Sequence, residues 1–214
     1  MGKKPQKIVI ISVASIIAFM LLGISSVYFF IYGGPPVKTS DIEDYGVFED
    51  FKGYSNLYIF PTQMPESTRI DSYYYYQRDT LFDPTCQIYL EYSLSKADFD
   101  AEVSRLSKIT EKFDHEHYKN SVNNIVYDTK HFKYPAYVTI FNYDPIILYE
   151  YALINEESHK IICIFVQGVG ADDVKFDQKY LPDGFGDDKS SGGFSIYSVP
   201  MEYGGNSYNE IKKR

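Results

Sequence analysis

The sequence predicts an α+β protein: an N-terminal transmembrane helix, then one domain with a mainly antiparallel sheet and one long amphipathic helix packed on one face. Three observations carry this. Residues 8–32 form an uncharged apolar run. Thr85 to Ser93 alternates apolar and polar side chains, the period of a half-buried strand. Phe99, Val103, Leu106, Ile109 and Phe113 recur at spacings of four and three, the stripe of a surface helix.

The run from Ile8 to Tyr32 would rise about 37 Å as a helix, enough for a hydrocarbon core of about 30 Å with some tilt. Lys3, Lys4 and Lys7 precede it, and Asp41, Glu43, Asp44, Glu49 and Asp50 follow it. The bias of lysine toward the cytoplasm orients residues 1–7 inward as a stub and the rest outward. A cleaved signal peptide fits less well, because its apolar region is shorter and ends at a small-residue site. The expected localisation is the cell membrane, single-pass, through a signal-anchor that contacts the lipid bilayer over residues 8–32. Gly33, Gly34, Pro35 and Pro36 end the helix and open a linker over 33–41.

The expected globular domain spans 42–200, with a flexible tail over 201–214. Ile42, Tyr45, Phe48 and Phe51 suggest a short helix or 3₁₀ turns against the domain. Asn56 to Phe60 reads as a first strand, stopped by Pro61. Ser72 to Gln77, with four consecutive tyrosines, pairs with Thr85–Ser93 through a turn over 78–84. Ser95 is placed to cap the helix, with Asp98 reaching back and Leu94 and Phe99 as a hydrophobic staple. Glu102, Arg105, Lys108 and Lys112 are expected in solvent. Strands follow at 124–127, 136–141, 147–154 and 160–167. The last is apolar throughout and should be central. Phe194 to Val199 is a possible edge strand beyond a glycine-rich stretch.

The chain carries 21 basic and 29 acidic residues, a net charge of −8. Such a balance argues against nucleic acid as a partner. Asp114-His115-Glu116-His117 is the nearest approach to a metal cluster. His115 and His117 would share a side in a strand, but no third ligand is evident. Asp172-Asp173 and the acidic stretch 183–188 fail the spacing of a calcium loop. Cys86 and Cys163 lie in apolar strands, either as small hydrophobes or as a bridged pair. No cofactor motif and no catalytic motif is present.

The chain holds 22 tyrosines and no tryptophan. In Tyr73 to Tyr76 neighbouring rings alternate faces, so two point outward. Tyr74 and Tyr76, joined by Tyr89 on the polar side of its strand, are therefore the candidate ligand-binding residues.

Tyr58-Ile59-Phe60-Pro61, Phe82-Asp83-Pro84, Tyr89-Leu90-Glu91-Tyr92 and Tyr134-Pro135-Ala136-Tyr137 together resemble single-pass, membrane-anchored extracytoplasmic proteins of Gram-positive bacteria, a group without a known activity. The resemblance implies a bacterial cell membrane and no particular chemistry. The expected function is a membrane-tethered binding or scaffolding domain at the cell envelope, with a protein or glycan partner. The alternative is an envelope-acting hydrolase with a carboxylate or histidine site.

Overall fold

The computed structural model describes residues 4–45, 57–80, 85–109, 125–139 and 148–185, with side chains in the N-terminal helix at 13, 15–29 and 31. Its elements are α1 (Lys4–Tyr32), β1 (Val37–Thr39), β2 (Arg69–Arg78), β3 (Thr85–Ser93), α2 (Lys96–Ser107), β4 (Ile125–Asp128), β5 (Ala136–Thr139), β6 (Leu148–Asn155) and β7 (Lys160–Gln167).

The seven strands among the described residues form one antiparallel sheet in the order β1-β2-β3-β7-β6-β5-β4. Two meanders build it, one running β1 to β3 and the other β4 to β7. They meet along eight residue pairs, from Cys86 opposite Gln167 to Ser93 opposite Lys160. The chain leaves β3 through α2, enters at the far edge with β4, and works back to the middle. β7 is thus the central strand, and its apolar run divides between two cores. Ile161, Cys163 and Phe165 face one core; Ile162, Ile164 and Val166 face the other. Every residue from Ile161 to Gln167 is buried, so a strict apolar–polar alternation could not appear here.

The first core is covered by α2 and by residues 57–60. Phe99 and Leu106 descend from the helix, and Ile59 and Phe60 from the segment. The 3₁₀ turn at 42–45 adds Tyr45, whose hydroxyl donates to the Pro61 carbonyl at 2.8 Å. The second core is covered by the stretch after β7. Tyr180 and Phe185 are buried there, and the Tyr151 hydroxyl donates to the Tyr180 carbonyl at 3.0 Å.

The N-terminal run does form helix, as part of α1, and its apolar side chains such as Phe19 and Ile24 are exposed. The membrane span is corrected: among the described residues no helix is long and apolar enough to cross a membrane. The signal-anchor, the single-pass topology and the cell-membrane localisation drawn from that span are corrected with it.

The long amphipathic helix is corrected too. α2 has 12 residues and ends at Lys108, where the N–H groups of Lys108 and Ile109 turn to the carbonyls three residues back. Phe113 lies outside the described residues. Glu102 and Arg105, expected in solvent, are buried and half-buried. Glu102 falls between Phe99 and Leu106 on the core-facing stripe, so its position follows from helix geometry.

The cap at Ser95 forms as expected on one side: its hydroxyl accepts the Asp98 N–H at 3.3 Å. The return bond is relayed. The Ser95 N–H donates to the Ser67 hydroxyl at 2.9 Å, and that hydroxyl donates to the Asp98 carboxylate. The cap therefore also pins the 65–68 turn to the helix.

Residues 57–60 are not a strand. Leu57 has φ 54°, and the Ile59 peptide is satisfied by side chains instead of a neighbouring strand. Conversely β1 arises inside the expected linker, with Val37, Lys38 and Thr39 opposite Gln77, Tyr76 and Tyr75. Gly33 makes this return possible. It has φ +74°, and a Cβ there would lie 1.6 Å from the Asp79 carbonyl oxygen. Residues 81–84 of the expected turn over 78–84, the edge strand Phe194–Val199 and the tail 201–214 lie outside the described residues.

Candidate functional site

The tyrosine row of β2 alternates as its period demands. Tyr73 and Tyr75 are buried in the first core, and Tyr74 and Tyr76 are half-buried on the opposite face. Tyr89 stands directly across from Tyr74. Its ring is 5 % exposed, stacked on Phe176 with centroids 5.2 Å apart and planes 7° apart. Its hydroxyl donates to Glu91. The stretch after β7 thus separates the three candidates: it covers Tyr89 and leaves Tyr74 and Tyr76 partly open.

A buried polar cluster lies beneath residues 57–60. Arg105 donates to both Glu102 oxygens, at 2.8 and 2.7 Å, and to the Ile59 carbonyl at 2.6 Å. The Tyr92 hydroxyl donates to Glu102 at 3.0 Å. The Ile59 N–H donates to Glu150, which is fully buried, at 2.7 Å. Arg105 and Glu150 therefore hold the two polar groups of one residue. Burial works against the charge of Arg105, but its bonds to Glu102 outweigh this and raise its pKa. Burial likewise pushes the Cys163 thiol up, with the Glu102 charge adding to it. An unreactive thiol is the outcome.

Both cysteines are free and buried. Four residues separate them along the β3:β7 ladder, about 13 Å at strand spacing and far beyond bridging distance. The bridged alternative is thereby removed.

A second network closes the far end of the sheet. The Lys160 ammonium sits 2.6 Å from Glu91 and 3.2 Å from Asp71. Asp71 is the extra residue at the β2 bulge between Ile70 and Ser72, which turns it toward Lys160. Burial opposes ionisation of Asp71, yet the Ser93 hydroxyl and the Lys160 ammonium together hold its carboxyl below the usual range. The hydrogen bond to Glu91 raises the Lys160 pKa. The signs set a window. A depressed carboxyl adds stability that is lost as pH falls through its folded value; a raised lysine adds stability that is lost as pH rises through its own. Lys160→Met is expected to cost about 1 kcal/mol after allowance for exposure, level from about pH 5 to 10 and shrinking on either side. Urea titrations of both proteins across pH check this. A cost that grows in acid would contradict it.

His131 Nδ1 lies 2.7 Å from Asp128 Oδ2, and Asp128 Oδ1 accepts the N–H groups of Lys130 and His131. This orients the imidazole. Among the described residues no three His, Cys, Asp or Glu side chains gather to hold a metal ion. His115 and His117 lie outside those residues, as do Asp187 and Asp188. Asp172 and Asp173 form a 3₁₀ turn, and the Gln87 amide donates to the Asp173 carbonyl at 3.3 Å.

An exposed ring lies at the edge of the sheet. Tyr127, at the centre of the terminal strand β4, is 50 % exposed. Its ring is 4.8 Å from that of Tyr137, its partner across the ladder. The two terminal strands differ in character. β1 follows two prolines and exposes Lys38, devices that discourage strand addition. β4 contributes Ile125, Val126 and Tyr127 before its single charge, Asp128, which is buried.

No family model, characterised protein or solved structure matches this chain. Any chemistry therefore rests on the geometry above. Tyr127 and Tyr137 each sit in a short run with weak alternation, so neither stands out in the sequence as a site residue. The spacing Tyr-Pro-Ala-Tyr with a separate Val-Tyr-Asp gave no sign that the two rings would meet.

Proposed function

We propose that this chain is a binding module, and that its recognition surface is the terminal strand β4 with the Tyr127–Tyr137 ring pair. The exposed Tyr127 ring on an edge strand lacking an outward charge, set against the half-buried Tyr137 of β5, carries this reading. A terminal strand offers a row of backbone donors and acceptors, and an extended polypeptide is the partner that matches them. Tyrosine suits such a surface because it gives large contact area at small entropic cost. The buried titratable groups support the same reading from the other side: Arg105 and Tyr92 both donate to Glu102, and Arg105 and Glu150 bond the Ile59 backbone. The net charge of −8 sets nucleic acid aside as the partner.

Selection of a displayed random-peptide library on the whole protein tests this. Enriched peptides are expected to be extended and to lose at least tenfold in affinity on Val126→Pro or Tyr127→Lys, with the melting temperature of Tyr127→Lys kept close to that of the parent. Enriched binders indifferent to both changes would overturn the assignment to β4. Saccharide binding with no peptide binding would point to a glycan-binding surface instead.

A further inference from the structure

We draw no further inference here: the strongest candidate, the buried side-chain cluster of Glu102, Arg105 and Glu150 beneath residues 57–60, closes on itself and on the Ile59 peptide, and nothing at it points to a ligand.

Discussion

Arg105→Met is expected to destabilise the protein by about 3 kcal/mol, because it strands a buried carboxylate. Glu102 is 6 % exposed and would keep, among the described residues, the Tyr92 hydroxyl as its side-chain donor, while the Ile59 carbonyl would lose its guanidinium. The cost comes from the orphaned charge more than from the lost attraction. Glu102→Gln in the Arg105→Met background should therefore restore part of the stability, with a coupling of about 2 kcal/mol between the two positions. Denaturant titration of the four proteins of this cycle measures it. Strictly additive costs would mean that Glu102 and Arg105 act independently, against the bonding described.

Phe165→Ala is expected to cost about 4 kcal/mol, lowering the melting temperature by roughly 12 °C. Phe165 is fully buried on the central strand, opposite Ile88 on one side and Glu150 on the other. Strands hold it from both sides, so the site has little freedom to collapse around the missing ring. Phe165→Leu should cost far less, about 1 kcal/mol, because most of the volume is kept. Equal costs for the two variants would place Phe165 outside a packed core.

The elements that could be read from sequence are those whose period was strong and whose ends were marked. Thr85–Ser93 and Lys160–Gln167 appear with the expected limits, and Ser95 caps its helix. Failures share a physical origin: local pattern does not report what tertiary contacts supply. Asn56–Phe60 looked like a strand from its apolar residues, but a fully buried glutamate and an arginine from α2 satisfy the Ile59 backbone. Val37–Thr39 was too short and too close to prolines to register, yet β2 offered it a ladder. Glu102 was assigned to solvent by its charge, whereas its helical position placed it inward.

The candidate site was less legible than the fold. Alternation correctly divided Tyr73–Tyr76 between two faces. It could not show that Phe176 and Tyr180, far along the chain, would cover Tyr89. Nor could it bring Tyr127 beside Tyr137, because that pairing depends on the β4:β5 register. Exposure is a property of the assembled sheet, and no single strand encodes it.

β7 is a central strand buried on both faces, and β4 is a terminal strand of the sheet among the described residues. Amide hydrogen exchange of the whole chain reads both at once. The amides of Ile161 to Val166 are expected to exchange only through global unfolding, and those of β4 that face away from β5 many times faster, through local opening. Uniform protection across β7 and β4 would contradict the open edge, and with it the proposed recognition surface.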